Sequence, residues 1–135
     1  MSSRSEIARI EMTTDESVVV GRHQVRTVAQ QMGLSLLDQT RLVTAVSELG
    51  RNVIVHGRGG TMTVNRLQEE DKEGIEVIFS DNGPGIPDVK LAMTDGYSTA
   101  GSMGIGLHGA ARLVDDFKID SEVGVGTTVT IRKWI

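Results

Sequence analysis

The sequence predicts an α/β (α+β) two-layer sandwich, with helices on one face of a mixed or antiparallel sheet. Apolar residues alternate in five short stretches and recur at helical spacing in three longer ones. Their order is strand, helix, helix, strand, strand, helix, strand, strand, which segregates into a helical layer and a sheet layer. No repeat, linker or second domain interrupts the 135 residues, so one domain over residues 1–135 is expected. With 39% apolar but only 3% aromatic residues, its core must be built from Val, Ile, Leu and Met.

The first strand is read over Glu6 to Met12, where Ile7, Ile10 and Met12 alternate loosely. Thr13-Thr-Asp15 supplies capping oxygens for a helix that runs to about Met32, with Val18, Val25, Val28, Ala29 and Met32 on its apolar side. Gly33 stops it. Ser35, with Asp38 three positions later, resembles a capping box. The helix it opens turns Leu42, Val43, Val46, Leu49, Val53 and Ile54 inward and ends near Gly57. Thr61 to Leu67 and Gly74 to Ser80 are neighbouring strands around a polar loop, 68–73. A short helix over Val89 to Met93 and a loop rich in Gly, Ser and Thr, 94–103, come next. The last helix is expected from Gly104 to about Phe117, followed by a hairpin of Ile119 to Glu122 and Thr127 to Ile131.

Composition excludes several function classes. The net charge of −4 argues against a general nucleic-acid or membrane-surface binder. There are no cysteines, hence no disulfides or thiolate metal sites. No apolar run of about 18 residues exists, and the first residues lack an apolar signal core. These features point to a soluble cytoplasmic protein.

Four segments carry chemistry. Asp81-Asn-Gly-Pro-Gly85 follows a strand, so Asp81 sits at a strand end beside Gly83 and Gly85. Glycines let a flat ligand approach closely, and the carboxylate can accept from an exocyclic amino group such as that of adenine. Glu48 and Asn52, four apart on a helix, project from one face. Asn offers a neutral oxygen to Mg²⁺, and Glu can orient or deprotonate an attacking hydroxyl. Gly101, Gly104 and Gly106 open a helix whose N-H groups favour phosphate oxygens. Gly126-Thr-Thr128 begins the last strand. Taken singly, these are also a turn, a polar helix face, a flexible connector and good strand formers. His56 and His108 lack convincing ligand spacing and are read as surface or cap residues.

Together and in this order, the four segments resemble the N box, the two glycine boxes and the terminal Gly-Thr element of the GHKL ATPase superfamily. The resemblance implies the Bergerat fold and binding of ATP with Mg²⁺. It makes Glu48 the base, Asn52 the Mg²⁺ ligand and Asp81 the adenine reader. Gly83 and Gly85 would shape the pocket, Thr127 would help hold it, and Gly101, Gly104, Gly106 and Leu107 would complete the nucleotide site.

Within that superfamily, Asp81 to Asp88, Leu91 to Thr99 and Thr130 to Trp134 look like RsbT-type switch kinases of stressosomes. Such kinases phosphorylate Ser or Thr on STAS-domain scaffold and antagonist proteins, and after release activate a phosphatase by binding it. An anti-sigma factor of the same superfamily, or a nucleotide switch with little catalysis, is the competing expectation. Autophosphorylation is not expected, because His23 is followed by Gln24 rather than an acid. Two features depart from the pattern. Gly50 stands in the N box where Ala is familiar, and no Lys or Arg occurs between Lys90 and Arg112. Arg51, Arg58 or a partner would then supply the cation that phosphate transfer needs.

Overall fold

The structure is a computed structural model that describes residues 2–93 and 103–135. Its elements run β1 (Ser2–Met12), α1 (Asp15–Met32), α2 (Leu36–Val55), β2 (Gly60–Glu69), β3 (Lys72–Asp81), α3 (Val89–Ala92), α4 (Met103–Ala111), β4 (Asp116–Glu122) and β5 (Gly126–Trp134). The strands form one sheet in the order β1-β2-β3-β5-β4, and every pairing is antiparallel.

Cap chemistry sets the helix starts. Thr14 begins α1 by accepting from the Ser17 N-H, while the Ser17 hydroxyl oxygen accepts in turn from the Thr14 N-H. Gly33, at φ 88°, ends it in the left-handed conformation that glycine adopts without strain. Ser35 accepts from the Asp38 N-H at 3.1 Å to start α2. The Asp38 carboxylate faces Arg41 and Lys133. Although burial works against it, those two cations hold the carboxyl below its ordinary range.

Alternation sets the two faces of the sheet. Met62, Val64, Ile75, Val77, Phe79, Val129 and Ile131 join Val25, Ala29, Leu42, Val46 and Leu49 of the helices in one core. Gly21 lets α1 close on that face, since a Cβ there would meet Met62 and Met12 side-chain atoms. The opposite face is polar and unexpectedly dense. Glu76 at its centre is fully buried, and each of its oxygens meets two side-chain nitrogens, three as hydrogen bonds and one as an ion pair. Oε1 is held by Asn65 (3.0 Å) and Arg4 (2.7 Å), Oε2 by Arg132 (2.9 Å) and Arg4 (3.2 Å). Burial opposes the charge, but these donors lower the Glu76 pKa.

The last helix is shorter than its apolar spacing suggests. It ends at Ala111, and Phe117 lies in β4. Phe117 and Ile119 are half-buried between exposed Asp116, Lys118 and Asp120, a period of two that the 3.6 spacing of Leu113, Val114 and Phe117 masks. The Asp115 N-H already donates to the Arg132 carbonyl (3.0 Å), so the chain has joined the β5 side by that point. β1 and β5 also extend beyond the expected ends, to Ser2 and Trp134. Among the described residues no helix is long and apolar enough to cross a membrane.

Candidate functional site

A cleft with about 410 Å³ of empty space lies between α2, the ends of β3 and β5, and α4. The turn structure after β3 builds one end of it. Asp81 is the last residue of its strand and pairs with Thr127 across the β3–β5 ladder. Its Oδ1 accepts from the Gly83 N-H (2.9 Å) and the Thr127 N-H (3.3 Å). Its Oδ2 accepts no hydrogen bond among the described residues. Gly57, at the end of α2, makes room for this carboxylate: a Cβ there would collide with Oδ2. Gly83 packs in turn on the Gly57 backbone, 2.8 Å from where its own Cβ would be. Gly85 lines the cleft at φ 78°.

Ser121 ties the wall together. It accepts from the Ile86 N-H at 2.8 Å and shares a hydrogen bond with the Thr127 hydroxyl at 2.8 Å. Phe79, Val129, Leu49 and Ile86 make the rest of that end apolar. A flat ring with an exocyclic amine therefore finds a greasy slot and a free carboxylate oxygen.

At the other end, α4 meets α2. A Cβ on Gly106 would lie 3.3 Å from Asn52 Nδ2, 3.3 Å from Glu48 Oε2 and 3.4 Å from Asn52 Oδ1. Gly106 thus brings the first turn of α4 against both polar residues of α2. Asn52 Nδ2 is buried without a hydrogen-bond partner among the described residues. Leu107 is buried beneath and also lines the cleft. Of the expected site residues, Asn52, Asp81, Gly85, Leu107 and Thr127 line one cleft. Gly83 bonds to Asp81, and Gly106 closes on Asn52 and Glu48 together. Gly104 lies in α4, and Gly101 lies outside the described residues.

His56 is the residue that sequence reasoning undervalued. It caps α2 through its N-H to the Asn52 carbonyl, which fits the cap reading. Its imidazole also lines the cleft, and Nε2 is shielded with no hydrogen-bond partner among the described residues. Burial lowers its pKa, which keeps the ring neutral. The available signal was its spacing: one turn beyond Asn52 on the same helix face. The two candidate cations separate. Arg51 is exposed on α2 beside Glu48 and Asn52. Arg58, at φ 62°, lines a different hollow with Gly59, Asn82, Pro84 and Gly124, behind the Gly57–Gly83 contact.

Comparison with known proteins adds an independent finding. Residues 37–134 match the family described as histidine kinase-, DNA gyrase B-, and HSP90-like ATPase. The chain is similar to serine/threonine-protein kinase RsbT of Bacillus subtilis, 38% identical over 126 residues that cover 93% of this chain and 95% of that one. It is 28% identical to the anti-sigma F factor of Clostridium acetobutylicum over 139 residues, covering 98% and 94%. In fold it is similar to the crystal structure of the RsbU and RsbW domains of a Mycobacterium tuberculosis protein, with a TM-score of 0.59 at 21% identity. That match covers 98% of this chain and 31% of the longer one.

Proposed function

The chain belongs to the histidine kinase-, DNA gyrase B-, and HSP90-like ATPase family, and from that premise we propose that it is an ATP-dependent serine/threonine protein kinase of partner-switching type. Its protein substrates are read as STAS-domain scaffold or antagonist proteins. After release it would activate a regulatory phosphatase by binding. The observation that carries this reading is one cleft with two chemically distinct ends. Asp81 offers a free oxygen at the apolar end, and Glu48 and Asn52 meet Gly106 of α4 at the other.

On this reading Asp81 Oδ2 accepts from the adenine amino group, and Gly83, Gly85 and Thr127 hold that carboxylate in place. Gly104 and Gly106 present helix N-H groups to the phosphates, with Gly101 and Leu107 completing the set. Asn52 would hold a Mg²⁺ ion through its Oδ1, since such ions take one or two protein oxygens beside phosphate, while its Nδ2, buried with no partner among the described residues, is a donor suited to a phosphate oxygen. When bound, Mg²⁺ supplies positive charge to the phosphates. Glu48 takes the proton from the acceptor Ser or Thr hydroxyl as its oxygen bonds to the γ-phosphorus, and the bond to the β-γ bridging oxygen breaks to release ADP. This reading assigns the cation that serves the transferred group to Arg51, exposed on α2 next to Asn52, rather than to Arg58, which lines a different hollow.

The similarity to an anti-sigma F factor over nearly the whole chain favours a second reading, in which holding a sigma factor is the main task. One experiment separates the two. With γ-labelled ATP and Mg²⁺ in extract of the source cell, the unmodified protein is expected to label a STAS protein on Ser or Thr. Glu48→Gln should reduce that labelling by about 10²-fold or more while nucleotide binding persists. Nucleotide binding without any Glu48-dependent label would reject the kinase reading.

A further inference from the structure

Three side chains stand in one row across the sheet at the apolar end of the cleft. Asp81 of β3 pairs with Thr127 of β5, and Thr127 pairs in turn with Ser121 of β4. Directly opposed residues of an antiparallel sheet share a face, so the row lies on the side that carries Asp81 and Thr127 into the cleft. Ser121 stands one place behind them, outside the cleft lining. The next residue, Thr128, turns to the opposite face, where its hydroxyl makes only a 3.4 Å contact with Ser80.

Ser121 has one proton and two acceptors within reach. Its oxygen lies 2.8 Å from the Thr127 hydroxyl and 3.3 Å from the Gly126 carbonyl, and it accepts from the Ile86 N-H at 2.8 Å. Gly85 permits that last contact: a Cβ on it would collide with the Glu122 carbonyl, so glycine lets the turn after β3 close on β4. A hydroxyl has one donor and two acceptor positions. The Ile86 N-H fills one acceptor position and strengthens the remaining O-H as a donor. The Thr127 oxygen is at the ordinary O-H···O distance, whereas the Gly126 carbonyl is beyond it.

We propose that Ser121 is a positioning residue for base recognition: it gives its proton to Thr127 and thereby turns the Thr127 proton towards the ligand. The inference deepens the nucleotide reading of the cleft and rests on it. Thr127 then stands as a donor beside the acceptor Oδ2 of Asp81, and its N-H, 3.3 Å from Oδ1, keeps the two together. An aminopurine presents an amino donor next to a ring-nitrogen acceptor, which complements that pair. An oxopurine presents the reverse, an oxygen beside a ring N-H. It sets lone pair against lone pair at Asp81 and proton against proton at Thr127. A site built for one hydrogen-bonding edge rejects the other, because its own polar groups are left unpaired. Asp81 supplies half of that selection by its chemistry alone. The other half depends on Ser121, since a hydroxyl with no fixed partner turns either its proton or a lone pair to the ring.

The test compares ATP with inosine triphosphate, each with Mg²⁺, by isothermal titration of the full chain. The unmodified protein is expected to prefer ATP by about 10²-fold or more. Ser121→Ala should cut that preference by about fivefold or more, chiefly through weaker ATP binding. Ser121→Thr keeps the hydroxyl on a good strand former and should restore it. In a Thr127→Val background, Ser121→Ala should leave the preference within about twofold, because the relay has lost its second member.

A Ser121→Ala protein that loses both nucleotides by the same factor overturns the proposal and makes Ser121 a structural tie between Ile86 and Thr127. So does an unchanged preference, or a Ser121 effect that persists beside Thr127→Val. If the unmodified protein binds neither nucleotide, the reading of the cleft falls and the relay falls with it. If it shows the Ser121-dependent preference yet transfers no phosphate, the kinase reading falls alone and the relay stands.

Discussion

The outer face of the sheet and the cleft both bury polar atoms, and they treat them in opposite ways. Around Glu76 both oxygens are satisfied: they take three hydrogen bonds, from Arg4, Asn65 and Arg132, and Arg4 Nε adds an ion-pair contact. In the cleft, among the described residues, Asn52 Nδ2 and His56 Nε2 are shielded from water with no partner, and Asp81 Oδ2 accepts nothing. Buried polar groups are normally satisfied, and those left bare cost stability. The first region is therefore built to hold the chain together. The second carries a deficit that a ligand can fill.

Glu76→Ala should break the first region. It removes a fully buried carboxylate and leaves Arg4 and Arg132 without their partner. Breaking a buried pair costs more than this when both charges are enclosed. Here both guanidiniums are partly exposed and can rehydrate, so a loss of about 2–3 kcal/mol is expected. Urea denaturation measures it, and ATP affinity of the folded fraction should be unchanged. The pH dependence follows from the lowered pKa. Glu76 contributes its stability above the ordinary carboxyl value of 4.5, and that contribution is lost as pH falls through the lower folded value. Glu76→Gln should therefore flatten the acid limb of the melting curve. An equally steep limb in that variant would assign acid sensitivity to other groups.

Asn52→Leu makes the opposite trade. It replaces an unsatisfied buried amide by an apolar group of similar size, so the nucleotide-free protein should be as stable as before or more so by about 1 kcal/mol. Mg²⁺-dependent ATP affinity should fall by about tenfold or more. A substantial loss of melting temperature without ligand would show that Asn52 is structural, and the contrast between the two regions would fail at that residue.

The sequence made one side of this contrast more legible than the other. Asp81, Asn52 and the glycines stand in short contiguous segments, so chain order alone assembles most of the cleft. Gly57 and Ser121 enter it through packing that no local pattern announces: one makes room for the Asp81 carboxylate, the other bridges Ile86 to Thr127. The Glu76 cluster was illegible for the same reason. Arg4 and Glu76 are 72 positions apart, and a charged residue inside an apolar run such as Ile75-Glu-Val-Ile-Phe79 reads simply as the solvent side of a strand. The end of α4 was misread because three apolar residues fit both periods.

His56 tests whether the cleft's deficit can be titrated. Its depressed pKa means that the folded protein resists protonation. Stability is at its full value above the ordinary imidazole pKa of 6.5 and declines as pH falls below it, levelling off under the lower folded value. ATP affinity should weaken over the same window if the ligand meets the neutral ring. His56→Gln should remove both slopes between about pH 7 and pH 5, at a cost of about 1 kcal/mol at neutral pH. Isothermal titration across that range reads it. A variant that keeps the wild-type slope would move the titrating group elsewhere.

Gly50 offers the smallest effect and the sharpest check on how far local rules extend into a packed helix. Glycine inside a helix costs roughly 1 kcal/mol against alanine, and Gly50 is buried midway between Glu48 and Asn52. Such a glycine is retained for close packing when a Cβ would collide. Here the nearest atoms to a Cβ would be Met12 Sδ at 3.4 Å and Val18 Cγ2 at 3.5 Å, ordinary contact distances to side chains able to adjust. Packing therefore gives no reason against alanine, and propensity should decide. Gly50→Ala is expected to raise stability by a few tenths to about 1 kcal/mol, with labelling activity unchanged. If stability rises while phosphate transfer falls, the loose turn between Glu48 and Asn52 serves the chemistry, and Gly50 belongs with the cleft rather than with the scaffold.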